Sequence, residues 1–379
     1  MPARRKAKSV SRRKFLRGGA LAGGAAAATV AFPQVSRAET TTLKMQTSWG
    51  PNEIFQEFAQ QYVERVEKMS GGRLKFDLLS VGAVVKYSQV QDACHKGSLD
   101  ASHTVAAYWF GKNRAASLFG TGPVFGADAG QTLAWIHYGG GKELYRELIQ
   151  DILKLNLVGF FAFPMPTQPL GWFNEPVTSL EDLQGVKYRT VGLATNIMQG
   201  IGLKVVAKGG NEIFEAMETG VIDAFEYNNP TADRQFNAHD LAKHYMLGSY
   251  HQPAEFIEII FNKDKFESLP AEQQAICEYA AEAASTANYG LAMDRYSQDL
   301  QWLMKDGEVN VHRTPDDVMQ AQLNSWDVVL KKYGKDPFFK KVVDSQKAWA
   351  ERVGFYSLTN TADYKLAYKH YFPEKKIAF

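Results

Sequence analysis

The sequence predicts an α/β protein of two lobes, each with its own core, followed by a helical C-terminal tail. Three observations carry this prediction. Up to Asn262, apolar residues switch repeatedly between a period of two and a helical period, which writes strands alternating with helices in mostly parallel sheets. From Pro270 onward only the helical period remains. The 379 residues, 45% hydrophobic and 22% charged, exceed what one core usually holds and have an ordinary globular composition, which excludes disordered, collagen-like and disulfide-stapled chains.

Residues 1–38 stand apart from the fold. They hold nine Lys or Arg and no acid, then the uncharged stretch Gly18 to Ala31, then Ser36-Arg37-Ala38 as a small-x-small cleavage pattern. Ser11-Arg12-Arg13-Lys14-Phe15-Leu16 matches the twin-arginine consensus, so the expectation is export of the folded protein to the periplasm. Without this segment 34 of the 43 basic residues remain against all 41 acids, a formal charge of about −7. That balance argues against nucleic acid and anionic membranes as partners, and no later stretch is long and apolar enough to span a bilayer.

The mature chain begins with a strand, in which Leu43, Met45 and Thr47 alternate with polar neighbours, and Ser48 to Asn52 is a turn. From Glu53 to Met69, Phe55, Phe58, Tyr62, Val63 and Val66 keep helical spacing, and Gly71-Gly72 supplies the stop. Leu74, Phe76 and Leu78 form a second strand, Ser88 to Lys96 a helix, and Leu99 to Val105 a third strand before a loop with Tyr108, Trp109 and Phe110. Leu155 to Phe163, Val186 to Thr190, Val221 to Tyr227 and Phe256 to Asn262 read as further strands, with a helix from Glu212 to Thr219. The tail predicts helices from Pro270 to about Lys305, Pro315 to Lys332, Pro337 to Arg352 and around Tyr364 to Tyr371. Cys94 and Cys277 sit in helical contexts far apart and read as buried free thiols.

Recognisable reaction chemistry is missing. The eight His form no zinc spacing, and there is no nucleophile elbow, Walker loop or dinucleotide fingerprint. Gly139-Gly140-Gly141-Lys142 lacks the second half of a phosphate loop and reads as a helix break. No organic cofactor is implied.

Several strings carry a resemblance. Thr167-Gln168-Pro169-Leu170-Gly171-Trp172-Phe173, Leu183-Gln184-Gly185-Val186-Lys187-Tyr188-Arg189 and Gly220-Val221-Ile222-Asp223-Ala224-Phe225-Glu226-Tyr227, with Gln46 to Trp49 and Met69 to Leu74 upstream, resemble the extracytoplasmic solute receptors of tripartite ATP-independent periplasmic (TRAP) transporters, in the branch that binds 2-oxo and related monocarboxylates. The resemblance implies a two-lobe periplasmic binding fold with crossing strands and a long hinge helix, closing on a small carboxylate that it passes to membrane permease subunits. It implies lobes of 39–164 plus 229–252 and of 165–228 plus 253–305, with 306–379 a helical extension available to pair two copies of the chain.

The site residues implied by the resemblance are Arg189, as a guanidinium fork for the ligand carboxylate, with Trp49, Tyr108 and Asn228 lining the pocket. Gln168, Glu226 and the carbonyl of Tyr227 correspond to positions that hold a cation, Na⁺ or Ca²⁺, beside the ligand. Where that branch reads Trp-x-Glu-Pro-Gly, this chain reads Tyr250-His251-Gln252-Pro253-Ala254, so Gln252 replaces an anionic ligand. That loss weakens a divalent ion more than a monovalent one, leaving Na⁺, a weakly held Ca²⁺ or no metal as alternatives. The competing readings are a twin-arginine-exported enzyme, against which the missing motifs weigh, and a ligand-sensing module sharing the same cleft.

Overall fold

The computed structural model describes residues 40–375, so the export signal and its cleavage site lie outside the described residues. Leu43 and Met45 are buried while Thr42 and Lys44 are exposed, the alternation of a strand covered on one side. This strand, β1 (Thr41–Thr47), pairs in parallel with β2 (Leu74–Leu79) and β3 (Ala101–Val105). Helix α1 (Ile54–Met69) crosses from β1 to β2 with Ile54, Phe55, Phe58, Tyr62 and Val66 buried. Gly71 and Gly72 follow it at φ of 62° and 77°, a backbone region that side chains disfavour. Two antiparallel strands, β4 (Leu157–Met165) and the far downstream β10 (Glu255–Asn262), complete the first sheet in the order β2-β1-β3-β10-β4. Strand β4 carries a bulge: Phe256 pairs with Pro164 and Ile257 with Ala162, so Phe163 is an extra residue, at φ 54°. The Phe163 N–H leaves the ladder and donates to Ser285 Oγ at 2.8 Å.

The second sheet is built from short strands: β5 (Gly171–Phe173), β6 (Lys187–Arg189), β7 (Lys204–Val206), β8 (Ala224–Phe225), β9 (His244–Leu247) and β11 (Asn310–Arg313), in the order β11-β9-β5-β8-β6-β7. The expected strand from Val221 to Tyr227 is thus two residues long, and Glu226 to Asn228 lies in the loop beyond it. Architecture of this kind, two mixed sheets with helices on their faces, is the two-lobe α/β fold the sequence predicts.

Two return segments lie the other way round from expectation. Residues 229–252 are expected in the first lobe, yet β9 within them pairs with β5 and β11 of the second sheet. Residues 253–305 are expected in the second lobe, yet β10 is central in the first sheet. Strand pairing decides the placement: β10 is bonded on both edges within the first sheet, and β9 on both edges within the second.

Helix α2 (Ala129–Tyr138) starts on an Asp128/Gln131 capping box and stops before Gly139, and a new helix begins at Gly141, so the glycine run is a helix break. Asn229 caps α3 (Pro230–Gln235), accepting from the Ala232 N–H at 2.9 Å. Helix α4 (Ala271–Lys305) has 35 residues, about 50 Å of length. It begins beside the first sheet, where the Tyr62 hydroxyl donates to the Cys277 carbonyl at 3.1 Å, and leads directly into β11 of the second. The expected extension 306–379 supplies β11 and then straps both sheets. Helix α5 (Asp316–Tyr333) packs on the helix Ala194–Gly200, and α6 (Pro337–Asn360) packs on α2. The described chain closes with α7 (Tyr364–Tyr371). Cys94 and Cys277 are buried and free, and no described helix is long and apolar enough to cross a membrane.

Candidate functional site

The chain passes between the sheets beyond β4, through Gln168, and returns beyond β9, through Gln252. These crossings run side by side, the Gln168 N–H donating to the Gln252 carbonyl at 3.1 Å. Because β6 and β8 pair in parallel with Arg189 opposite Phe225, the ends of both strands bring Arg189 beside Glu226. Trp49 follows β1 and Tyr108 follows β3, so the first sheet faces the same place.

These elements surround a narrow, partly open pocket. Of the residues singled out from the sequence, Trp49, Tyr108, Arg189, Tyr227, Asn228 and Gln252 line it. Gln168 and Glu226 do not line it; both are 0% exposed and lie behind its wall, bonded to Glu255 and Arg189 respectively. Phe55, Val105, Met165, Val191 and Glu255 line it without having been expected.

Arg189 is buried and already engaged. Its Nε donates to the Lys208 carbonyl at 2.8 Å, and Nη1 donates to the Glu226 carbonyl at 2.7 Å and to Glu226 Oε1 at 3.1 Å. Among the described residues no hydrogen bond uses Nη2. The two-pronged fork expected for a ligand is therefore partly spent on the protein, and Nη2 is the nitrogen left for it.

A second feature is a set of oxygens without donors. Gln168 Oε1, Glu226 Oε2, Gln252 Oε1 and Glu255 Oε1 are all buried and unpartnered. The amide nitrogens of Gln168 and Gln252 converge on Glu255 Oε2 at 2.9 and 3.4 Å, which fixes both amide oxygens on the unpaired side. Burial pushes Glu255 up to about 8, and the nearby Glu226 carboxylate adds to the rise against Arg189 and Gln168. Glu226 is pushed up to about 7, again chiefly by burial, with Arg189 and the nearby Thr190 hydroxyl opposing it. Hard oxygens that lack protons to accept are what an alkali or alkaline-earth cation requires. Among the described residues no three His, Cys, Asp or Glu side chains are grouped to hold a metal, so the set here is two carboxylates and two amides.

The aromatic residues differ in what they offer. The Trp49 indole donates to His103 Nδ1 at 2.7 Å, and burial holds that imidazole down at about 3, hence neutral. Only the ring face of Trp49 is left for a ligand. The half-buried Tyr108 has no hydrogen bond from its hydroxyl among the described residues, and it is a free donor. The Tyr227 hydroxyl donates to Glu53, whose other oxygen accepts from the Gly50 N–H at 2.5 Å. Asn228 is used internally, by Asn229 at 2.7 Å and by the Met165 sulfur at 3.3 Å. Trp172 is core, stacked on Tyr245 with ring centroids 4.2 Å apart. Sequence reasoning missed Glu255, although an acid inside the apolar run Ala254 to Asn262 is a signal in itself.

Residues 45–336 match the family model for DctP, bacterial extracellular solute-binding protein, family 7. The chain is a DctP-family solute receptor. Its family binds solutes outside the cytoplasm and is not catalytic, so this receptor is not an enzyme. It is 29% identical over 322 residues to a monocarboxylate 2-oxoacid-binding periplasmic protein of Nostoc sp., covering 85% of this chain and 87% of the relative. A TRAP solute-binding protein from Bordetella bronchiseptica, a mixed-occupancy dimer with copurified calcium and picolinate, superposes with TM-score 0.81 at 26% identity, covering 89% of the receptor and 98% of that chain. A TRAP periplasmic solute-binding protein from Pseudoalteromonas atlantica with bound sodium and pyruvate gives TM-score 0.78 at 27% identity, covering 89% and 100%.

Proposed function

We propose that this receptor captures a small 2-oxo or 2-hydroxy monocarboxylate together with Na⁺ or Ca²⁺ in the periplasm and delivers it to TRAP permease subunits. The observation that carries the reading is the cavity itself, where a buried arginine with Nη2 uncommitted adjoins four buried oxygens that lack donors. The ligand carboxylate would take Nη2 of Arg189 and the Tyr108 hydroxyl, and its carbon skeleton would lie against Trp49. Gln168, Glu226, Gln252 and the Tyr227 carbonyl would hold the cation, which supplies positive charge for the ligand's carboxylate and 2-oxygen. The pyruvate and sodium of the Pseudoalteromonas protein and the calcium of the Bordetella protein support this choice of ligand and ion.

Two finer parts belong to the same reading. Export would use the twin-arginine route, as Ser11 to Leu16 indicates. Two copies would pair through the end of α6 and through α7, where Phe355, Tyr356, Leu358, Tyr364, Leu366 and Tyr371 are all exposed. The deciding experiment is calorimetry of the mature receptor with pyruvate in Na⁺, Ca²⁺ or K⁺ buffers. Micromolar or tighter binding, about 8 kcal/mol, that fails in K⁺ alone is the expected result. Absence of binding to any 2-oxo or 2-hydroxy acid would overturn the reading.

A further inference from the structure

Four carboxylates stand around the cavity, and their partners separate them. Both oxygens of Glu53 accept hydrogen bonds, from Gly50 and Tyr227. Both oxygens of Asp233 accept as well, from the Trp172 indole at 2.8 Å and the Asn228 N–H at 3.4 Å. Among the described residues, the buried acid oxygens without a partner are Glu226 Oε2 and Glu255 Oε1 and no others. Glu255 is 5% exposed, lines the cavity, and is held from one side only by the amides of Gln168 and Gln252. A buried oxygen left bare costs stability, and an arrangement of several such neighbours is explained if a cation supplies the missing partner.

We infer that Glu255 is a cation ligand, the second anionic one after Glu226, and that it makes the site prefer Ca²⁺ over Na⁺. Charge accounting gives the selectivity. With both site carboxylates ionised, Arg189 contributes one positive charge, while Glu226, Glu255 and an incoming monocarboxylate contribute three negative ones, and a single divalent ion balances the remainder. A monovalent ion leaves a buried net charge. Gln252 then acts through its amide oxygen, while its amide nitrogen orients Glu255.

The inference rests on the proposed cation-assisted binding, and the test separates the two. Ca²⁺ is titrated calorimetrically into receptor saturated with pyruvate, using the wild type, Glu255→Gln, and the double variant Gln252→Glu/Glu255→Gln, with circular dichroism to check folding. Glu255→Gln should weaken Ca²⁺ roughly 100-fold or more while changing Na⁺-supported pyruvate binding less than about tenfold, and relocating the carboxylate to 252 should regain at least about tenfold. Ca²⁺ affinity within about threefold of wild type in folded Glu255→Gln overturns the inference and leaves cation-assisted binding intact. Pyruvate binding by the wild type that ignores every cation overturns both.

Discussion

Glu255 and Glu258 lie three residues apart on β10, both buried, on opposite faces of one strand. Glu258 shares its face with Phe256 and Ile260 in a core containing Trp109, Phe119, Tyr145 and Phe161. Its Oε2 accepts from the Trp109 indole at 2.6 Å and its Oε1 from the Tyr145 hydroxyl. Burial pushes Glu258 up to about 7, as it pushes Glu255 up to about 8. A raised carboxylate is thus no signature of function, because the same desolvation acts on both. What differs is whether the chain itself satisfies both oxygens: on one face it does, and on the other it stops halfway.

Substitutions on either side of β10 test this division. Arg189→Ala should have the gravest consequence, because it removes the only cation among the hydrogen bonds described at the cavity and leaves Glu226 buried without its partner. Pyruvate affinity should fall at least about 1000-fold and stability by about 3 kcal/mol or more, read by calorimetry and urea unfolding. Retained affinity would remove Arg189 from the ligand.

Glu258→Ala should separate the two faces next. It leaves the Trp109 and Tyr145 donors unpaired beside a void, so urea unfolding should show a loss of about 2 to 4 kcal/mol with pyruvate affinity unchanged. An affinity loss larger than the stability loss would dissolve the distinction between the faces.

The same residue sets a pH dependence with a definite sign. Glu258 has its folded pKa raised to about 7 from 4.5, so the folded state holds its proton more tightly than the unfolded chain does. Its contribution is fully present below about 4.5 and is lost as pH rises through about 7, so the stability of the wild type relative to Glu258→Gln should fall across that window. A difference that stays flat with pH would show that Glu258 titrates normally.

Two tyrosines, one on each face, should respond more mildly. Tyr145→Phe deletes a donor to Glu258 and should cost about 1 to 2 kcal/mol of stability without touching affinity. Tyr108→Phe deletes a hydroxyl with no hydrogen-bond partner among the described residues, so stability should hold while pyruvate affinity falls about tenfold, as thermal melts and calorimetry would report. Reversal of this pattern would exchange the roles assigned to the two faces.

Legibility in the sequence tracks the length of each signal. Helix α1, with Phe55, Phe58, Tyr62 and Val66 in period, and β1, with Leu43 and Met45, declare themselves because their periods repeat. Strands of two to four residues such as β8 and β9 are too short for a period to register, and their partners lie far away in the chain, so the sequence misplaces β9 and β10 between the lobes. Arg189, Glu226 and Gln168 are singled out as candidates through motif resemblance. Glu255 is not, because what distinguishes it is an oxygen left without a donor, a property of three segments meeting and of none alone.

Arg189 also gives its Nη1 to Glu226 within the chain itself. The arginine's charge is therefore answered before any solute arrives, and an anion entering alone would add a buried charge with nothing to cancel it. A divalent cation entering with it offsets both that anion and the charge of Glu255, which the pairing of Arg189 with Glu226 leaves over. Linkage then requires each to tighten the other by the same factor, so occupancy follows the product of two concentrations. A receptor that loads in this way would be a coincidence detector, reporting organic acid only in surroundings whose salt permits it.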